Sequence, residues 1–219
     1  GGRGKIVILG DSLATGYGTS GYDIARGHGY QATSYAWPSR WDKKANTTMA
    51  NLARNGAMAS DFIADGVQNR QQGPFEPKAV QRIKSVQPNL VIIQLGGNEY
   101  VTDRDPERTY EVNLRRLAWR IKQAAPKARM LFVHTYAFDY RDPNAAPYDH
   151  SWSRYGSVMR TVAGSYGWYM DLTEYMPATR FNGAGLYIHD EYGPGLAVHA
   201  TDAGHIALFS AYWGKVQCR

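Results

Sequence analysis

The stretch Lys5-Ile6-Val7-Ile8-Leu9-Gly10-Asp11-Ser12-Leu13 decides the fold. Its apolar residues run without alternation and stop at a glycine. An alternating pattern would mean a strand with one wet face. A continuous run of this length means a strand buried on both faces, as in parallel sheets. The polar pair Asp11-Ser12 follows at once, so it is placed where such a strand ends.

The same character recurs along the chain. Asn89 to Leu95 ends at Gly96-Gly97, Arg129 to Val133 is a third run, and Trp168 to Leu172 a fourth. Thr48 to Leu52 is a weaker candidate between polar stretches. Helical spacing lies between these runs. Pro106 to Ala125 puts Tyr110, Leu114, Leu117, Ala118, Ile121 and Ala125 on one stripe, with Asp105 placed to cap it. Pro77 to Val86, Trp152 to Tyr166 and Ala203 to Val216 are further helices. Strands alternating with helices predict a single α/β domain over residues 1–219: three layers, α/β/α, around about five mostly parallel strands. Thr19 to Ala36, Ala137 to His150 and Pro177 to Ala200 are expected to be irregular. Loops of this length in a compact domain are often functional. The first two follow strands and belong at the carboxyl edge of the sheet, where open α/β folds bind ligands.

Composition narrows the classes. The chain has 219 residues, 43% hydrophobic and 20% charged, a globular and not a disordered balance. Runs such as Leu90 to Ile93 fall far short of the ~20 residues of a membrane span. One cysteine, Cys218, permits no internal disulfide. The net charge of +6 is scattered, so nucleic acid is not an expected partner. Sixteen Tyr and six Trp suit sugars and interfaces, and also ordinary packing. The missing initial Met and the aromatic-rich, Cys-poor composition make secretion the expectation.

A serine hydroxyl is a poor nucleophile unless a neighbouring base takes its proton, and histidine is the usual base. The histidine in turn needs an acceptor to fix its ring. Ser12 follows the first strand. Asp202 and His205, three apart in Asp202-Ala203-Gly204-His205, share a helical face and could supply acid and base together. Donors for a developing oxyanion could come from the Gly56 N–H, with no Cβ in the way, and from the Asn98 amide after the strongest strand. Asp11 reads as a structural hydrogen-bonding residue.

Four segments, Gly10-Asp11-Ser12-Leu13, Leu52-Ala53-Arg54-Asn55-Gly56, Gly96-Gly97-Asn98-Glu99 and Asp202 to His205, resemble in order the blocks of the SGNH (GDSL) hydrolases. The resemblance implies a flavodoxin-like sheet of five parallel strands and a serine esterase. It implies Ser12 as nucleophile, His205 as base and Asp202 as its partner. The implied oxyanion hole is the Ser12 and Gly56 N–H groups with the Asn98 side chain. Glu99 departs from the pattern, which usually has Asp there.

Each segment alone has a plainer reading. A serine after a strand often only caps a helix, and Gly56 could only serve a turn. His28, His134, His150, His189 and His199 read as surface or packing residues, and no spacing suits zinc, so no metal is expected. Gly16-Tyr17-Gly18-Thr19-Ser20-Gly21 fits the dinucleotide pattern but lacks the strand before it and the helix after it, so no cofactor is expected. The expected substrate is a short-chain ester such as an acetylated carbohydrate. Lysolipid hydrolysis or acyl transfer would use the same site. A nucleotide- or carbohydrate-binding domain is the rival of another class.

Overall fold

Five strands form one parallel sheet in the order β2-β1-β3-β4-β5: β1 Lys5–Gly10, β2 Thr48–Asn51, β3 Leu90–Gln94, β4 Arg129–His134 and β5 Trp168–Asp171. The computed structural model describes residues 4–63, 79–102, 109–136, 151–175, 187–189 and 198–217. The apolar runs place every strand, including the weak one at Thr48. In register, Ile6 faces Leu90 and Leu9 faces Ile93 across β1 and β3, while Leu90 faces Arg129 across β3 and β4. All five residues of β3 are buried, as the unbroken run predicts for a central strand covered on both faces.

Helices cover both faces, which makes the three layers. On one side Val7, Leu9, Val91, Ile93, Met130 and Phe132 pack under α3 (Ala79–Val86), α5 (Glu111–Ala124) and α6 (Trp152–Tyr166). On the other, Ile6, Ile8, Leu90, Ile92, Leu131 and Val133 pack under α2 (Trp37–Ala45) and α8 (Asp202–Gln217). Short helices α1 (Ser12–Thr15), α4 (Gly97–Thr102) and α7 (Leu172–Tyr175) follow β1, β3 and β5.

Helix α2 is an addition to the sequence reading. Pro38 sits in its first turn and Asn46 closes it in the left-handed conformation at φ 49°. The helix starts expected at Pro77 and Pro106 lie outside the described residues. So do the whole stretch 137–150 and most of 177–200. Thr19 to Ala36 is irregular as expected, apart from a 3-10 turn at Ile24–Arg26. No helix among the described residues is long and apolar enough to cross a membrane.

Candidate active site

The site forms where β1 and β3, adjacent in the sheet, reach its carboxyl edge. The chain leaves β1 at Gly10 and turns into α1. Asp11 caps this helix: its Oδ1 accepts from the Leu13 N–H at 2.9 Å and from the Gln94 amide at the end of β3 at 2.8 Å. Burial pushes the Asp11 carboxyl up to about 6, although both donors and the nearby His199 pull it the other way. Ser12 is thereby the first residue of the helix. Its own N–H has no hydrogen-bond partner among the described residues, as expected at a helix start.

The turn after β2 is fastened to the same place. Arg54 N–H donates to Gly10 O at 3.0 Å, and the Thr15 hydroxyl donates to Asn55 Oδ1 at 2.7 Å. Gly56 takes φ 74°, a conformation that favours glycine. Beyond it the backbone donors are spoken for: Ala57 N–H on Arg54 O, Met58 N–H on Asp61 and Ala59 N–H on Glu99. The Gly56 N–H has no acceptor among the described residues. Asn98, in α4, donates from Nδ2 to Ala57 O at 3.0 Å, which ties its amide to this turn. Ser12, Gly56 and Asn98, the three predicted oxyanion positions, therefore share one corner of the sheet edge.

The imidazole at this corner is His199. Its Nε2 lies 2.8 Å from the Ser12 hydroxyl oxygen. The His199 segment is held by three hydrogen bonds. His189 N–H donates to His199 O at 2.9 Å, Thr201 N–H to Tyr187 O at 2.9 Å, and the Tyr136 hydroxyl to Val198 O at 2.7 Å. The Tyr17 ring rests against the imidazole, centroids 4.4 Å apart. Gly18 makes this approach possible. At its φ of 87° a Cβ would meet Ala200 O at 2.8 Å and the His199 Cβ at 3.3 Å.

The expectation for His205 and Asp202 is corrected by this geometry. His205 makes no hydrogen bond to Ser12. It is fully buried in α8, and its Nδ1 accepts from the Trp37 N–H at 3.3 Å, joining α8 to the start of α2. Burial lowers its pKa to about 4, so the ring stays neutral in the core. Asp202 accepts from the Ser20 N–H at 2.8 Å and from the Ser20 hydroxyl at 2.6 Å, and so anchors the loop after α1. The two residues do lie in the first turn of one helix, but neither side chain is directed at Ser12. His199, read from sequence as a packing residue, is the ring that reaches it. The residue three before it is Leu196, so no Asp-x-x-His spacing pointed there.

A serine at a strand end, an imidazole on its hydroxyl and unpaired N–H groups beside it are the parts of a nucleophilic acyl-transfer site. The comparisons agree with that class. The chain belongs to the GDSL-like Lipase/Acylhydrolase family, whose pattern matches residues 8–207. It is 26% identical over 150 residues to thioesterase 1/protease 1/lysophospholipase L1 of Escherichia coli K12. That alignment covers 65% of this chain and 59% of the relative's length. Among solved structures, phospholipase A1 from Streptomyces albidoflavus superposes with a TM-score of 0.68 at 19% identity, over 99% of both chains. A carbohydrate acetylesterase from Sinorhizobium meliloti, Est24, gives 0.69 at 15% identity, again over 99% of both. These two likenesses establish the shared fold.

Proposed function

We propose that the protein is a serine ester hydrolase in which Ser12 is the nucleophile and His199 the base. The 2.8 Å contact between His199 Nε2 and the Ser12 hydroxyl carries this reading. The Ser12 oxygen attacks the ester carbonyl while its proton passes to His199 Nε2. The carbonyl electron pair moves onto the oxygen, which the Ser12 and Gly56 N–H groups and the Asn98 amide receive. When the tetrahedral species collapses, His199 returns the proton to the departing alcohol. Water, deprotonated by His199, then attacks the acyl-serine, releases the carboxylic acid and restores the Ser12 hydroxyl.

The substrate we propose is a short-chain ester of a carbohydrate. The half-buried ring of Tyr17 packs against His199 and meets Tyr22 edge-on, the two tyrosine centroids 5.4 Å apart, and so puts aromatic surface beside the nucleophile. The likeness to a carbohydrate acetylesterase supports the same choice. The test is a panel of p-nitrophenyl acetate, acetylated sugars and lysophospholipids, run on the wild type and on Ser12→Ala. Hydrolysis of acetyl esters that falls by ~10³-fold or more in Ser12→Ala is expected. Undiminished hydrolysis by purified Ser12→Ala would overturn the assignment. Turnover of lysophospholipids alone would overturn the substrate.

A further inference from the structure

Glu99 is nearly buried, 3% exposed, in the first turn of α4. Its two oxygens reach in different directions. Oε1 accepts from the Ala59 N–H at 2.6 Å, and Oε2 accepts from the Gly96 N–H at 3.1 Å. Ala59 opens the 3-10 turn that follows Gly56, and Gly96 lies two residues before Asn98. One carboxylate thus grips both segments that carry candidate oxyanion donors. The bond from Asn98 to Ala57 O runs between the same two segments in the opposite sense, donor and acceptor reversed. From behind, the Tyr155 hydroxyl of α6 donates to the Glu99 carbonyl at 3.3 Å.

We infer that Glu99 is a positioning residue, a clamp that sets the spacing between the Gly56 N–H and the Asn98 amide. This rests on the ester-hydrolase reading above. Donors to an oxyanion work only if they converge on one point about 3 Å away. A displacement of ~1 Å costs ~10²-fold in rate. The two donors come from turns 42 positions apart in sequence, so something must fix one against the other. A carboxylate is suited to this because both its oxygens accept, whereas a carboxamide turns an N–H₂ toward one of the two donors. Length matters as much as charge. Aspartate is shorter by one carbon–carbon bond, about 1.5 Å, and starting from the same helix position it cannot hold both contacts.

Three variants separate this role from plain stability. Glu99→Gln removes one acceptor, and Glu99→Asp keeps the charge but loses the reach. Ala59→Pro deletes one donor and leaves Glu99 in place. Met58 is already extended, at φ −116° and ψ 165°, as a residue before proline must be, and Ala59 opens its turn, where proline is accepted. The readouts are kcat and KM on p-nitrophenyl acetate, the inhibition constant of an alkyl boronic acid that forms a tetrahedral adduct on serine, and Tm. In all three variants kcat should fall ~10- to 100-fold with KM within about twofold, and boronate affinity should fall with kcat. Unchanged kcat in the variants that fold would overturn the clamp, as would equal losses in substrate and boronate binding. Ser12→Ala and Asn98→Ala run alongside. If those two lose activity and the clamp variants do not, only the clamp fails. If Ser12→Ala keeps full activity, the hydrolase reading itself has failed.

Discussion

Asp11 stands between the first strand and the nucleophile, and replacing it with asparagine should make the protein more stable and less active. Burial lifts its folded pKa from 3.8 to about 6, so the folded state keeps a proton that the unfolded chain has already released. Between these two values the folded state binds more protons, and stability falls as pH rises. Above pH 6 the full cost of the buried charge is present. At 1.36 kcal/mol per tenfold change it is about 3 kcal/mol. Asp11→Asn removes the charge and keeps the acceptor, since the bonds from Leu13 and Gln94 both go to Oδ1. The carbonyl oxygen of the Gln94 side chain is buried without a partner among the described residues. The amide nitrogen introduced at position 11 is expected to donate to it, closing a two-bond ring between the side chains.

The measurement is urea unfolding of both proteins at pH 4 and at pH 8. The variant should gain about 3 kcal/mol over wild type at pH 8, and most of that gain should vanish at pH 4. For a chain of this size the gain corresponds to a Tm rise of about 6–12 °C. Because the comparison is between variant and wild type, the buried histidines that titrate in the same window cancel. Activity should fall, because Asp11 and His199 interact electrostatically and the attack on the ester puts a positive charge on that ring. A stability difference that stays constant from pH 4 to pH 8 would show that Asp11 carries no raised pKa and would refute the reasoning.

Three further outcomes follow from the site and the core. His199→Ala should lower kcat by ~10²–10⁴-fold with Tm nearly unchanged, whereas His205→Ala should lower Tm and leave kcat of the folded fraction within a few-fold; the reverse pattern in paired melting and kinetic assays would restore His205 as the base. Asn98→Ala should cost ~10²–10³-fold in kcat with a smaller change in KM, and steady-state kinetics with equal effects on both would remove it from the oxyanion hole. His134 and His205 are both pushed by burial from 6.5 down to about 4, so acid should destabilise the protein as pH falls from 6.5 through 4, by about 3 kcal/mol for each ring. His134→Phe should flatten its share of that slope in unfolding curves, and an unchanged slope would contradict it.

The sheet was legible because parallel strands leave a local signature. Ile6 to Leu9 and Leu90 to Ile93 are apolar at every position, and only burial on both faces demands that. Helix α6 was equally legible, Trp152 to Tyr166 in both readings. Helix α2 was not, because its nine residues include Pro38, Ser39 and four charges, and only Trp37 and Trp41 bring large apolar side chains into the core. Those tryptophans are held by partners far away in sequence. Trp37 stacks on Tyr212 at 4.2 Å and donates from its indole to Leu13 O.

The ring that faces Ser12 was misread for a physical reason that the spacing rule does not contain. Residues three apart on a helix share a face, but the rule does not say where that face looks. At the start of α8, Asp202 turns outward to Ser20 and His205 turns inward to Trp37, because the helix lies on α2 and its fourth residue falls on the packed side. His199 stands before the helix, at a bend next to the bridge residue Ala200. Its place is set by the bridge between Ile188 and Ala200, by the Tyr136 hydroxyl from the end of β4, and by Tyr17 from the loop after β1. Each contact joins positions that only the folded sheet edge brings together. Local periodicity could find the strand that ends at Ser12, but the choice between two histidines six residues apart depended on contacts from three distant parts of the chain.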